Sequence, residues 1–209
     1  MQKEIAQLLL EKKAVKVETN PPFTWTSGIK SPIYCDNRVL ISYPEAVAKI
    51  VAGFKQIITE QKLEFDALAG TATAGIPWCS FLAYELKKPM AYIRPKPKEH
   101  GATKQVEGVL EKGSHVLIIE DLISTGGSSL GSAQACQREY ESKIVGLLAI
   151  YTHGLKKAEQ VFTEAKIPWF TLTNFSTLVG ELDIAETQKE LVLEFSKDPP
   201  NWWEKFQKS

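Results

Sequence analysis

Apolar positions follow two spacings along this chain. Short runs of apolar, often β-branched residues predict buried strands, and apolar residues that recur every three or four positions predict amphipathic helices. The predicted strands cover residues 65–69, 90–93, 115–119, 142–151 and 167–172, and the predicted helices cover residues 4–12, 43–61, 78–86, 128–140 and 178–195. Because strands and helices alternate, we expect an α/β fold with a doubly wound, mostly parallel sheet and helices on both faces.

The strand at 115–119 leads directly into a polar stretch that can bind a sugar phosphate. Glu120 and Asp121 come first, and the loop Leu-Ile-Ser-Thr-Gly-Gly-Ser follows at 122–128. The glycines, the hydroxyl groups and the start of the next helix can donate hydrogen bonds to a phosphate. The two carboxylates can accept hydrogen bonds from ribose hydroxyls. The stretch therefore predicts a ribose 5-phosphate site, and the alternative is that the acids cap a helix beside an ordinary glycine turn.

Two other phosphate loops fit the chain less well. A Walker A loop needs a lysine after its second glycine, but Ile76 and Pro77 follow the candidate glycines at Gly70 and Gly75. A dinucleotide-binding loop needs Gly-x-Gly-x-x-Gly after the first strand, and the sequence contains no such motif. We therefore set both classes aside.

Length, charge and cysteine content further restrict the possible domain organisation and classes of function. The 209 residues suffice for one α/β domain, with an N-terminal helix and hood at about 1–40, a core at about 41–173 and C-terminal helices at about 174–209. The 25 basic and 25 acidic residues balance, which argues against nucleic-acid or membrane partners. Cys35, Cys79 and Cys136 lie too far apart in sequence to suggest a disulfide framework or a zinc site. Without a signal peptide or a membrane-length apolar run, we expect a cytoplasmic protein.

Residues 116–129, VLIIEDLISTGGSS, resemble the signature with which type I phosphoribosyltransferases bind phosphoribosyl diphosphate (PRPP). The resemblance implies that Glu120 and Asp121 hold the ribose hydroxyls, that Thr125 to Ser128 hold the 5′-phosphate, and that Ser124 faces the acceptor base. It also implies a Mg²⁺ ion that is held mainly through the substrate. The PRPP contacts implied within this stretch are Glu120, Asp121, Leu122, Ile123, Ser124, Thr125, Gly126, Gly127 and Ser128.

An aromatic and polar stretch near the N-terminus suggests which base is accepted. Short runs at 23–26 and 33–35, with turn signals at 27–28 and 31–32, predict a hairpin. Residues 23–38 resemble the hood of orotate phosphoribosyltransferases, which reads Phe-Thr-x-x-Ser-Gly-x-x-Ser-Pro, an aromatic residue and then Asp-Asn-Arg. The resemblance implies orotate as the acceptor, and a purely structural surface hairpin is the alternative.

A cationic loop at 94–108 resembles the catalytic loop of the same family. Its prolines and glycines predict an exposed, mobile segment, and Arg94, Lys98 and His100 match the pattern Arg-x-x-x-Lys-x-His-Gly. Such a loop can neutralise a departing diphosphate and exclude water. The resemblance implies that Lys98 and Asp121 are catalytic, with Arg94 and His100 beside Lys98, and that the enzyme is a homodimer whose loop reaches the neighbouring site.

Several positions differ from many family members, and two other functions stay open. The chain has Thr26, Ala74 and Pro95 where many members have lysine, and Tyr151-Thr152-His153 where many have an arginine beside the base. We hypothesise that Lys30 or Lys96 compensates. The alternatives are a phosphoribosyltransferase for another base and a non-catalytic regulator that senses PRPP.

Overall fold

The computed structural model of the chain describes residues 1–18, 20–24, 28–97 and 104–207. The N-terminal part forms helix α1 (Gln2–Glu11), strands β1 (Val15–Val17), β2 (Phe23–Thr24), β3 (Lys30–Ser31) and β4 (Ile33–Cys35), a 3₁₀ helix (Asn37–Ser42) and helix α2 (Pro44–Glu60). Strand β1 pairs with β4, and β2 pairs with β3, both antiparallel. These two small sheets and the first residues of the 3₁₀ helix, Asn37 and Arg38, form the hood.

The core that follows alternates between strands and helices. It consists of β5 (Ala67–Thr71), α3 (Gly75–Leu86), β6 (Met90–Ile93), β7 (Val106–Glu107), β8 (His115–Ile123), α4 (Gly127–Tyr140), β9 (Lys143–Thr152), α5 (Lys156–Ala165) and β10 (Trp169–Asn174). Helices α6 (Phe175–Gly180), α7 (Glu186–Lys197) and α8 (Trp202–Phe206) complete the described chain.

The central sheet has the order β10-β9-β8-β5-β6-β7, and only β7 runs antiparallel to its neighbour. Helices α4 and α5 cover one face, whereas α1, α2, α3, α6, α7 and α8 cover the other. This arrangement confirms the predicted α/β fold with a mostly parallel sheet. The chain reverses its winding direction between β5 and β8, and the carboxyl ends of such strands form the usual ligand site of open α/β sheets.

Some predicted boundaries and pairings were wrong. The runs at 23–26 and 33–35 were predicted to form one hairpin, but the described part of the first run, Phe23–Thr24, pairs with β3, and the run at 33–35 pairs with β1. The helix predicted at 178–195 is two helices, since α6 ends at Gly180 and α7 packs back against it. Strand β7, inside the predicted loop at 94–108, pairs with β6 and so holds the end of that loop to the sheet.

The acids at 120–121 lie inside strand β8 rather than after it. The strand continues to Ile123 because its partner β9 remains alongside, with Glu120 opposite Ala149 and Ile123 opposite Thr152. Within the parts of the chain that the structure describes, none of the helices is long and apolar enough to cross a membrane.

Candidate active site

Glu120 is a buried carboxyl group with its own set of hydrogen bonds. Its side chain is only 4% exposed. The hydroxyl of Ser129 donates to Oε2 over 3.1 Å, the hydroxyl of Ser128 does so over 3.4 Å, and the backbone N–H of Asp121 donates to Oε1 over 3.1 Å. Burial and the negative charge of Asp121 raise the pKa of Glu120 well above its ordinary value. Ionisation of Glu120, the more deeply buried acid of the pair, is thus disfavoured more strongly than that of Asp121.

Asp121 is more open to solvent than Glu120 and lies beneath the hood. Burial raises its pKa, while the hydrogen bond with Glu120, the backbone N–H donors and the positive charge of Arg38 oppose that shift. The Arg38 guanidinium is held by Asp36 through bonds of 2.6 Å and 2.8 Å. The side-chain amide of Asn37 donates to the backbone carbonyl of Asp121 over 2.8 Å. The hood therefore contacts the acidic end of β8 directly.

Between β8 and α4, the chain makes a short turn of small and hydroxyl residues. Ser124 is half-buried, and Thr125 and Ser128 are exposed. Gly126 has a φ of +81°, and a Cβ there would lie 3.0 Å from the Phe162 ring, so glycine suits both the conformation and the space. The turn delivers the free N–H groups of α4 to the carboxyl edge of the sheet, where they can bind an anion.

A second strand-to-helix turn, between β5 and α3, packs against the first. A Cβ on Gly75 would lie 2.6 Å from the carbonyl oxygen of Ile119, so only glycine permits this approach. Thr71, at the end of β5, is 4% exposed, and its hydroxyl has no hydrogen-bond partner among the described residues. The peptide bond between Ala72 and Thr73 is cis. This turn offers an unused donor and a close-packed backbone next to the acids.

A cavity of about 220 Å³ lies between these two turns and the start of the cationic loop. Its walls come from the β5–α3 turn, the loop residues after β6 and the first turns of α4. The lining residues are Thr71, Ala72, Ile93, Arg94, Pro95, Gln105, Gly127, Ser128, Gly131 and Ser132. The structure thus brings Arg94, Gly127 and Ser128, three of the residues that the sequence predicted, to one cavity.

The base of the cationic loop is anchored to α4. The carboxylate of Glu139 accepts the backbone N–H groups of Gln105 and Val106 at 2.8 Å and 3.2 Å, and Arg138 donates to the Gln105 side chain over 2.7 Å. Burial opposes ionisation of Glu139, but these backbone donors and Arg138 lower its pKa below the ordinary value. Arg94 lies 3.6 Å from Glu107. Lys98 and His100 lie outside the described residues.

The residue that follows strand β9, His153, has a buried and neutral imidazole ring. His153 is 3% exposed, and its Nδ1 lies 3.4 Å from the Tyr151 hydroxyl. Burial lowers the pKa of His153 to about 3, so the ring is uncharged at neutral pH. Lys30, a suggested substitute cation, is exposed and donates to the Thr24 hydroxyl over 2.7 Å.

Comparison with known proteins identifies the family that shares this arrangement. The family described as phosphoribosyl transferase domain matches residues 42–175. The orotate phosphoribosyltransferase of Staphylococcus saprophyticus is 47% identical over 191 residues, which are 91% of this chain and 92% of that protein. The chain belongs to the orotate phosphoribosyltransferase family.

Solved structures of the family share the fold. The orotate phosphoribosyltransferase of Aeropyrum pernix superimposes with a TM-score of 0.75 at 26% identity, over 85% of this chain and 97% of that one. The Mycobacterium tuberculosis orotate phosphoribosyltransferase in complex with PRPP has a TM-score of 0.64 at 19% identity, over 84% of this chain and 97% of that one. The resemblance to orotate phosphoribosyltransferases inferred from the sequence is confirmed.

Three contributors to the site were not assigned a role from the sequence. Asn37 belongs to the hood pattern, but the pattern gave no hint of its bond to Asp121. Ser129 is buried against Glu120, and Thr71 has an unpaired hydroxyl beside the cavity. Ile123, in contrast, was predicted to contact PRPP, but its side chain is only 1% exposed and its carbonyl already accepts hydrogen bonds from the Thr152 hydroxyl and the His153 N–H.

Proposed function

We propose that this protein transfers the 5-phosphoribosyl group of PRPP to N1 of orotate, which gives orotidine 5′-phosphate and diphosphate, a step of pyrimidine biosynthesis. The observation that carries the proposal is the acid pair Glu120 and Asp121 at the carboxyl edge of the sheet, directly under a hood of the orotate phosphoribosyltransferase pattern. The named family relatives support the same activity.

The two turns at the sheet edge suit the two ends of PRPP. The N–H groups at the start of α4 and the hydroxyls of Thr125 and Ser128 are suited to the 5′-phosphate. The neutral β5–α3 turn, with its unpaired Thr71 hydroxyl, is suited to the diphosphate. The carboxyl groups of Glu120 and Asp121 between them are suited to the ribose hydroxyls, because carboxyl oxygens accept hydrogen bonds.

Bond cleavage makes the ribose carbon positive and the diphosphate more negative. In our proposal the Asp121 carboxylate stabilises the positive ribose carbon, since it is the more exposed acid of the pair. Arg94, which lines the cavity, and Lys98 and His100 of the loop that reaches in from the neighbouring subunit neutralise the leaving group. The anchoring of Gln105 and Val106 by Glu139 supports this role, because it fixes one end of the loop.

Mg²⁺ fits this set of donors as a substrate-bound ion. It commonly uses one or two carboxylates together with water and phosphate oxygens, and the described residues near Asp121 offer few other metal ligands, since Glu120 is engaged by Ser128 and Ser129. When bound, the ion would neutralise charge on the diphosphate. Asp121 is the residue that would contact it most readily.

We further propose that the protein acts as a cytoplasmic homodimer whose loop at 94–108 serves the neighbouring site. An apolar groove of about 500 Å³ between α2 and α3 supports association, and Tyr84 at its rim is 77% exposed. The free thiols of Cys35, Cys79 and Cys136 suit a reducing compartment. Sedimentation of the purified protein at several concentrations tests the dimer, and a single monomeric species would contradict it.

The decisive experiment follows orotate by its ultraviolet absorbance in the presence of PRPP and Mg²⁺. We expect orotate to be consumed only in the complete mixture, and about a hundredfold more slowly by Lys98→Ala because a leaving-group cation is lost. Lys112→Ala is the matched control, since Lys112 is exposed and paired with Glu141 away from the site.

A negative result in this assay distinguishes between the alternative functions. Turnover with another base but not with orotate would identify a different phosphoribosyltransferase. Binding of PRPP without turnover of any base would favour the sensing regulator. Equal rates for Lys98→Ala and Lys112→Ala would remove Lys98 from the catalytic machinery.

A further inference from the structure

A buried side-chain amide in the hood forms a hydrogen bond with strand β8. Asn37 is fully buried at the start of the 3₁₀ helix, and its Nδ2 donates to the Asp121 carbonyl over 2.8 Å. The paired part of β5 reaches β8 only as far as Gly70 opposite Ile119. Asp121 lies two residues beyond that pair, so β5 does not hold this part of β8, and Asn37 adds a hydrogen bond from the hood to the pairing of β8 with β9.

The neighbours of Asn37 determine which way its amide points. The Cys35 thiol lies 3.4 Å from Oδ1. Burial, with the negative charges of Asp121 and Asp36, raises the pKa of Cys35 well above its ordinary value, so the thiol keeps its proton and can donate. A carbonyl can only accept, which leaves Nδ2 facing Asp121. Both ends of the amide are therefore used.

Hydrogen bonds also fix the backbone of the hood on either side of Asn37. The backbone N–H of Asp36 donates to the carbonyl of Ala14 over 2.7 Å, and the Asp36 carboxylate caps the 3₁₀ helix through the N–H of Arg38. Movement of the Asp121 backbone relative to the hood would break the Asn37 bond and leave the buried Nδ2 without its acceptor, which is costly. The direction of the Asp121 carboxylate is thus coupled to the position of the hood.

We propose that Asn37 is a positioning residue, which holds Asp121 in its catalytic orientation by joining the hood to β8. This inference rests on the proposed function. In it, the Asn37 amide couples the hood, which lies on the side of the acceptor base, to Asp121, which acts on the ribose of PRPP. Small displacements of a catalytic group cost much of its effect, so the amide acts on kcat through Asp121.

The first test compares Asn37→Leu, which keeps the side-chain volume but lacks the donor, with Ile57→Ala, which removes buried packing at the far end of α2. We expect kcat to fall about tenfold or more in Asn37→Leu, with KM for orotate and PRPP changed less than about threefold. Ile57→Ala is expected to lower the melting temperature while keeping kcat within about twofold. Equal kcat losses in the two variants would overturn the positioning role.

A second variant keeps the shape of the side chain. Asn37→Asp presents an ionised carboxylate to the Asp121 carbonyl at high pH, but a protonated carboxyl can donate to it. The charged or titratable groups around this position are Cys35, Asp36 and Arg38 of the hood, Glu120 and Asp121 of β8, and Tyr151 of β9. All of them are present in both proteins, so we expect the ratio of wild-type to Asn37→Asp kcat to shrink as the pH falls from about 9 to about 5. A ratio independent of pH would contradict the hydrogen-bond role.

Hydrogen exchange separates this inference from the proposed function, because it needs no substrate. Peptides covering residues 120–125 are expected to exchange faster in Asn37→Leu and in Asn37→Asp at high pH than in Ile57→Ala. Unchanged exchange would show that Asn37 does not hold β8, whatever the enzyme activity. Faster exchange together with a wild type that does not consume orotate would retain the link and reject the proposed reaction.

Discussion

Two strand-to-helix turns meet where the sheet reverses its winding direction, and they have the same topology but opposite chemical character. The β8–α4 turn follows two carboxyl groups, one of them bound by two serine hydroxyls. The β5–α3 turn contains only small, neutral residues, and the buried Thr71 hydroxyl before it has no hydrogen-bond partner in the described part of the chain. Both turns place backbone N–H groups at the same edge of the sheet.

The difference teaches that the last residues of a strand determine which ligand group its turn can bind. Carboxylates suit the hydroxyls of a sugar and repel an anion, whereas a neutral turn accepts an anion at its amide groups. Gly75 lets the two turns approach closely enough for one ligand to span both, since its Cα lies against the Ile119 carbonyl and Glu120. Substitutions in each turn test this difference in ligand preference.

We expect the largest loss of activity from a substitution of Asp121, before the β8–α4 turn. Asp121→Asn keeps the size of the side chain but removes the charge that stabilises the positive ribose carbon, so we expect kcat to fall about a hundredfold. Asp66→Asn is the control, because Asp66 is an exposed acid that accepts the His115 N–H at the opposite end of β8. The assay is orotate absorbance, and a loss of less than about tenfold would remove Asp121 from the chemical step.

The contact between the turns is expected to show the next largest effect. Gly75→Ala would place a Cβ 2.6 Å from the Ile119 carbonyl. We expect the turns to separate, with a loss of about 1–3 kcal/mol in the free energy of unfolding and weaker PRPP binding. Urea denaturation and calorimetric titration with PRPP measure the two quantities.

Gly180→Ala serves as the matched control for that change. A Cβ at Gly180 meets nothing within 4 Å, so its stability should change by less than about 0.5 kcal/mol. If Gly75→Ala behaved in the same way, the close approach of the two turns would not be required.

We expect the smallest effect, a loss of PRPP affinity, from a substitution of Thr71 before the β5–α3 turn. Thr71→Val removes a hydroxyl that has no partner, so stability should change little while PRPP affinity falls about tenfold through the lost hydrogen bond. Thr173→Val removes another buried hydroxyl that lacks a partner among the described residues, on strand β10. That control should keep PRPP affinity, and a similar loss in both variants would deny Thr71 a specific role.

The chemistry of the site could be predicted from the sequence, because its parts are contiguous. Strand, acid pair, hydroxyl-glycine turn and helix follow one another within residues 115–140, and the structure keeps that order. The boundary was misplaced because hydrophobicity ends at Ile119 whereas pairing with β9 continues to Ile123. Backbone pairing does not depend on side-chain polarity, so an apolar pattern underestimates such a strand.

The hood was predicted less well. Its residues matched a family pattern, but the short strands were paired with the wrong partners, because two- and three-residue strands carry too little periodicity to specify a register. The break between α6 and α7 was missed for a related reason, since apolar spacing continues across Gly180 although the chain folds back there.

The sheet, the order of the two turns and the chemical groups that each turn presents follow from the linear pattern of residues, because hydrophobic periodicity and turn residues act locally. Which groups meet depends on the folded chain: Asn37 contacts Asp121 across 84 positions, and Glu139 contacts Gln105 across 34. Hydrogen bonds of this kind depend on distances that the packed sheet sets. A linear pattern of residue types contains no information about those distances.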